Sequence, residues 1–337
     1  MKTLALCAWA LLSGGLLASV RAGAAPVRAV DSVSIAVSDL ERSVAFYRDV
    51  LGFSEVAERE VAGDGYEHLY GVFGMRARMA RLRLGDESIE LTQFLAPRGR
   101  PAPNDTHAND RWFQHVAIIV SDMDKAYARL REHKVEQVST GPQRLPDWNA
   151  NAAGIEAYYF RDPDGNFLEI LHFPPGKGAA KWQRHDGTLF LGIDHTAIVV
   201  ADTEASLGFY RDQLGLKVAG NSANYGTEQE HLNNVFGARL WITALRASDG
   251  PGVELLEYLA PRSGRPMPLD TQANDRWYWQ INMRGDVPAA LQSGVRKAGS
   301  PVISGHVVTL ADVALGFDHA VVIRDPDGHA SLLAADH

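Results

Sequence analysis

The chain has 337 residues, 46% of them hydrophobic and 22% charged, with a formal net charge of -8. That length leaves room for two ordinary domains, and that balance is typical of a globular chain with a sizeable core. The acidic surplus excludes a basic footprint for nucleic acid and argues against an anionic membrane surface.

The first segment stands apart. Lys2 precedes an apolar run from Leu4 to Leu17, and small residues follow as far as Ala22, Gly23 and Ala24. Residues 1–24 read as a secretory signal peptide, since the run is too short, and too broken by Ser13, Gly14 and Gly15, to span a bilayer. The expected location is the periplasm or the exterior, with no membrane attachment after cleavage. Cys7, the only cysteine, is lost with that segment. Any metal then has to be held by His, Asp, Glu or Gln, and a cysteine nucleophile is excluded.

Beyond it, VDSVSIAV alternates apolar and polar residues like a strand. Asp39 sits where an N-cap belongs, ahead of the amphipathic LERSVAFYRDVL, and Gly52 follows as its C-terminal stop. Three strand-like runs come next: FSEVAERE, ARMARLRL and SIELTQFL. A second unit opens with HVAIIV, continues with Asp122 and the helix MDKAYARLREH, and ends in the strands EAYYFRD and NFLEILHF, joined by a DPDG turn.

The whole pattern then repeats. Val37–Phe53 matches Val200–Leu216, EHLYGVFG at Glu67 matches EHLNNVFG at Glu230, and RDPDG occurs at Arg161 and at Arg324. A repeat of this length means duplicated domains and not a solenoid. The expected division is 27–174 and 190–337 with a Pro- and Gly-rich linker over 175–189. The fold class is α+β, built as four βαβββ modules whose curved sheets pair to bury their inner faces.

These residues resemble the vicinal oxygen chelate (VOC) family, which includes glyoxalase I, extradiol dioxygenases, bleomycin-resistance proteins and methylmalonyl-CoA epimerase. The resemblance rests on D-x-x-x-S-x-x-F-Y-R-D-x-L-G in both halves, IELT at Ile89, QHVAII at Gln114 and DPDGNFLEI at Asp162. It implies two tandem glyoxalase-like domains, with pairs of modules curling into cups around one divalent metal. Each module then offers a ligand position at the start of its first strand and another in its last. Those positions are Ser32 and Glu90, His115 and Glu169, His195 and Glu254, and Gln280 and Leu332.

Taken singly, a histidine opening a strand is more often structural, and a strand glutamate more often faces solvent. The charge of Glu169 inside the apolar FLEIL is harder to dismiss, because burying it is costly unless it is paired or bound to a metal. Pairing within each half leaves both cups incomplete. Crossed pairing gathers His115, Glu169, His195 and Glu254 into one middle cup and leaves Ser32, Glu90, Gln280 and Leu332 in an outer one. The crossed arrangement resembles fused glyoxalase I and is the one expected here.

A sulfur-free His2Glu2 set suits Zn, Ni, Co, Mn or Fe. The resemblance implies a metal-dependent lyase or isomerase acting on a vicinally oxygenated small molecule through a metal-bound enediolate, with Glu169 as the better candidate for the base and Glu254 as its symmetric counterpart. Two alternatives stand beside it: an Fe(II)-dependent extradiol-type dioxygenase using two histidines and one carboxylate, and a non-catalytic binding or resistance protein. The expected partner is a small-molecule substrate, and the fused halves are compatible with a monomeric pseudo-dimer or a homodimer. Arg111, Arg276, His68, His231, Tyr47 and Tyr210 recur in both halves and read as structural. Trp112, Tyr158 and Tyr159 read as strand-core packing.

Overall fold

The computed structural model describes residues 27–184, 186–285, 302–311 and 313–335. The leader over residues 1–24, with Cys7, lies outside the described residues, and so does the helix expected for the fourth module. The first module runs β1 (Val27–Ala36), α1 (Leu40–Asp49), β2 (Ser54–Ala62), α2 (Asp64–Tyr70), β3 (Arg76–Leu84) and β4 (Glu87–Ala96). The second runs β5 (Gln114–Val120), α3 (Met123–Glu132), the two-residue strands β6 (Glu136–Gln137) and β7 (Gln143–Arg144), β8 (Glu156–Arg161) and β9 (Phe167–His172). The third has β10 (Phe190–Val200), α4 (Thr203–Leu207) passing into a π-helical turn over Gly208–Gln213, β11 (Lys217–Tyr225), α5 (Thr227–Asn233), β12 (Arg239–Arg246) and β13 (Gly252–Ala260). The fourth contributes β14 (Trp279–Gly285), β15 (Val308–Thr309), β16 (His319–Arg324) and β17 (Ala330–Ala335).

The N-caps come from aspartates, as the sequence suggests. Asp39, Asp122 and Asp202 each accept the backbone N–H three residues on, which satisfies one of the unpaired donors at a helix start. Helices α2 and α5 are additions to the expected pattern. They occupy the repeated EHL stretches, where His68 is tied back to the carbonyl of Asp64 at 2.7 Å. The second strand is reduced to two-residue pieces in module two and, among the described residues, in module four, whereas it spans nine residues in modules one and three.

Two mixed sheets result, and both cross the halves. One has the order β15-β16-β17-β14-β1-β4-β3-β2 and joins modules one and four. The other runs β11-β12-β13-β10-β5-β9-β8-β6 and joins modules two and three. The central seams are antiparallel, β1 against β14 and β5 against β10. The convex faces are covered by α1 and α3, which share one apolar core with Ile35, Leu51, Ile118 and Phe160.

The helices are also pinned across modules. Tyr47 on α1 donates its hydroxyl to Asp162 of the first DPDG turn at 3.2 Å, and Tyr210 does the same to Asp325 of the second. Burial pushes both phenols well above their ordinary range, so they stay neutral donors.

The halves interlock through a second reciprocal device. Arg265 reaches Asp110 at 2.6 Å and Arg100 reaches Asp275 at 2.6 Å, with both aspartates buried. Each arginine lies over a tryptophan, Arg265 above Trp112 and Arg100 above Trp277. The recurring ANDRW is thus explained chiefly by its aspartate and tryptophan. The Arg111 side chain approaches Asp327 at 3.5 Å, and its backbone N–H donates to the Arg265 carbonyl at 2.8 Å.

Candidate metal centre

The concave face of the middle sheet encloses a cavity of about 690 Å³. Strand register decides which side chains reach its floor. In-register residues on neighbouring strands share a face. Ala197 of β10 lies opposite His115 on one side and Glu254 on the other, while Ala117 of β5 lies opposite His195 and Glu169. Two alanines therefore hold the centre, each flanked by two candidate ligands. Their methyl groups leave room above the sheet that a longer side chain would fill.

The donors converge there. His115 Nε2 is 3.1 Å from Glu169 Oε2, and His195 Nε2 is 3.7 Å from the same carboxylate and 3.4 Å from Glu254 Oε2. One ligand atom from each of His115, Glu169 and His195 lies within 4.8 Å of the other two. Those three are buried, whereas the Glu254 side chain keeps 23% of its exposure and forms the open edge.

Both ring nitrogens of His115 are buried without a hydrogen bond of acceptable geometry. A buried imidazole left in that state is costly unless its lone pair has another partner. The donor types, their convergence and that orphaned ring all fit a divalent ion.

A β-bulge prepares His195. Ile193 pairs with Ile118 and His195 with Ala117, so Asp194 is an extra residue in the ladder. The bulge lets two consecutive residues serve the cavity: Asp194 Oδ2 holds His195 Nδ1 at 3.0 Å and leaves Nε2 facing the other donors. Asp194 is held in turn by Trp182 Nε1 at 3.0 Å and by Arg246 Nη2 at 2.7 Å. Burial opposes charge on both groups. The carboxylates of Glu254, Asp194 and Glu169 nevertheless raise His195 to about 9, and its partners hold Asp194 well below the usual carboxylate range. The floor carries excess negative charge, which a proton on His195 or a cation among the donors would balance.

A model of the glyoxalase/bleomycin resistance protein/dioxygenase superfamily matches residues 29–170 and again 192–331. The chain belongs to that superfamily. A relative from Actinomyces sp., named 2-epi-5-epi-valiolone epimerase, is 34% identical over 155 residues, which is 44% of this chain and 81% of the relative. The superfamily fold over nearly the whole chain is seen in glyoxalase I from Zea mays, with a TM-score of 0.60 at 16% identity, covering 91% of this chain and 92% of that one. A putative dioxygenase from Bacillus subtilis shares it at a TM-score of 0.56 and 14% identity, covering 93% and 86%.

The superfamily repeat also produces the outer cup, and there the floor is filled. Ser34 stands where the middle cup has Ala197, opposite Glu90 and Gln280, and its hydroxyl donates to Glu90 at 3.3 Å. Asn282 stands where the middle cup has Ala117 and donates to Ser32 at 3.0 Å. Gln280 accepts from Tyr278 and donates to Asn282, both at 2.7 Å. Arg59 closes on Glu90 at 2.9 Å, and Leu332 packs into an apolar cluster with Tyr70, Phe94 and Phe317. The cavity lined by Ser34, Tyr70 and Tyr278 is about 10 Å³, room for one water at most.

Some site residues escape a reading by motif. Asp194 lay beside a candidate ligand and has the counterpart Asp31, a signal that could have found it. Trp182 comes from the linker, in a 3-10 turn over Ala180–Gln183, and nothing in a linker's composition points at a site. Tyr159 lines the cavity, its ring centroid 4.9 Å from that of His115, whereas Tyr158 faces the helices as core.

Proposed function

We propose that the protein is a metal-dependent enzyme of the lyase or isomerase type, with His115, Glu169 and His195 holding one divalent ion and Glu254 completing the set. The observation that carries this is the convergence of three buried donors on one point, with neither nitrogen of His115 in a hydrogen bond of acceptable geometry. Zn, Ni, Co, Mn and Fe all suit such donors. A bound ion would supply Lewis acidity to a substrate presenting two vicinal oxygens.

The chain's own groups do the rest. Asp194 fixes the His195 ring, so Nε2 faces the site without rearrangement. Tyr159, Leu240 and Leu256 exclude water from one wall. Glu254, less buried than Glu169, has the freedom to take a proton from a carbon beside the substrate oxygens and return it, and Glu169 is its counterpart across the seam. The epimerase relative from Actinomyces sp. supports proton-transfer chemistry of this type.

The test is metal analysis of the wild type beside His115→Ala and His195→Ala. One equivalent in the wild type, lost in both variants, is expected. A His195→Ala protein that kept its full equivalent would place the metal within the first half and overturn the reading.

One observation favours a second reading. The compact set is two histidines and one carboxylate, with Glu254 at the edge, which is the donor pattern of Fe(II) oxygenases. Oxygen uptake by the Fe(II)-loaded protein with a catechol panel would establish that reading and displace the first. Export to the periplasm or exterior is likewise proposed, on the apolar run at Leu4–Leu17, and fractionation of cells expressing the full chain tests it. A monomeric pseudo-dimer is proposed because each cup draws its two modules from one chain; light scattering of the purified protein checks this.

A further inference from the structure

The charges around the middle cavity fall into closed sets. Besides the two histidines, its described lining carries four carboxylates, Glu87, Glu169, Asp194 and Glu254, and two cations, Lys181 and Arg246. Neither cation is free. Arg246 spends Nη2 on Asp194 Oδ2 and Nη1 on the Asp194 carbonyl, both at 2.7 Å. Lys181 is paired with Glu87 and lies 4.4 Å above the Trp182 ring. Glu87 is itself fixed, accepting the backbone N–H of Ile193 at 3.0 Å.

The wall farthest along β11 and the facing loop is neutral. Asn151, Asn221, Ser222, Asn224 and Gln229 line it, and no lysine or arginine of the described lining stands among them. Asn149, Asn224 and Gln229 form a chain of side-chain amide bonds at 2.8 and 3.0 Å. Amides and hydroxyls of this kind read hydroxyl and carbonyl groups and give an anion no compensating charge.

Resting on the metal reading above, we propose that the substrate is uncharged apart from its two chelating oxygens, a hydroxyl-bearing molecule without a carboxylate or phosphate. With a divalent ion on the floor, two carboxylates are balanced by the ion and two by Arg246 and Lys181. Lys177, a further cation beside this wall, spends its ammonium on the carbonyls of Ala150 and Asn151 at 2.8 and 3.0 Å. A further anionic group would therefore be desolvated against Asn and Ser side chains without a cation in the described lining to meet it, which is unfavourable. Substrates built on an acidic peptide are disfavoured for the same reason.

The experiment uses the full chain loaded with Zn, its metal content measured first. Binding of 4-methylcatechol is then compared by calorimetry with that of 3,4-dihydroxybenzoate, which keeps the chelating pair and adds one carboxylate. At least a tenfold preference for the neutral probe is expected. Asn151→Arg, on the exposed loop at the neutral wall, is expected to erase about tenfold of that preference. A protein holding one equivalent of Zn that binds the carboxylate probe as well or better overturns the proposal and leaves the metal reading intact. A protein holding no metal overturns both.

Discussion

The carboxylate of Asp110 is joined at 2.6 Å to the guanidinium of Arg265, a residue 155 positions away in the other half of the chain. Asp110 also accepts the backbone N–H of Arg265 at 3.0 Å and of His107 at 2.9 Å. Asp275 repeats this arrangement with Arg100. Asp110→Ala removes a buried partner and leaves a half-exposed arginine, so the loss is expected at about 2–4 kcal/mol, the lower end reflecting solvent around Arg265. A double-mutant cycle of Asp110→Ala with Arg265→Ala, read by chemical denaturation, should show coupling above about 1 kcal/mol. Strict additivity would mean that the pair does not hold the halves together.

The pH dependence follows from Asp275. Burial pushes its carboxyl up, but Arg100 and the backbone N–H groups it accepts hold the folded value below the ordinary one. The unfolded chain therefore takes up this proton first. The stabilisation is fully present above about pH 4 and is lost as pH falls toward the folded value. Asp275→Asn should flatten the fall of Tm in that acid window and leave the slope near pH 7 unchanged.

Two glycines permit this interlock. A Cβ on Gly264 would lie 1.7 Å from the carbonyl oxygen of Asn109, and one on Gly99 would lie 1.7 Å from that of Asn274. Neither backbone can retreat without breaking the adjoining arginine contact. Gly264→Ala is expected to cost more than about 4 kcal/mol or to abolish soluble expression. Gly141→Ala, where nothing lies within 4 Å, is the control and should unfold like the wild type.

The floor of the middle cup gives a prediction by exchange. Ala117→Asn installs the residue that fills the outer cup at the equivalent place. Loss of at least about a hundredfold in metal affinity is expected, since the amide would occupy the space between the donors that Asn282 fills in the outer cup, and the Tm of the metal-free protein separates that loss from a packing cost. Metal titration followed by calorimetry measures both quantities, and an unchanged affinity would show that the small floor residues are irrelevant to binding.

Trp182 lines the cavity and reaches the ligand set through Asp194. Trp182→Phe keeps an aromatic ring in place, loses the far indole edge that faces Gly192, and removes the indole N–H that Asp194 accepts. Loss of an outer hydrogen bond of this type typically costs about tenfold in metal affinity or more. Trp182→Ala should do worse and lower Tm as well, since the ring is buried.

Much of this was legible in the residues. The capping aspartates, the duplicated helix motif and the four strand positions of the candidate ligands are local signals, and the crossed sheets follow once the incomplete sets are compared. Helices α2 and α5 were not legible, because EHLYGVFG is short and its apolar residues fit a loop as well as two helical turns. The role of Ala117 and Ala197 was hidden for a different reason: a site made by what a side chain leaves empty has no motif. Trp182 and Lys181 were hidden because a linker's path over a cavity depends on tertiary packing, which neither periodicity nor composition encodes.

The reciprocal clasp of Asp110 and Asp275 makes the two sheets equal in construction while their floors differ. In a pair of separate identical chains, one floor substitution would strike both cups together. Here each cup is encoded once, so Asn282 and Ser34 can stand in one without touching the other. Covalent duplication has thereby separated two duties that symmetry would keep bound: one cup can close into a solid brace, and the other stays free to change with its ligand.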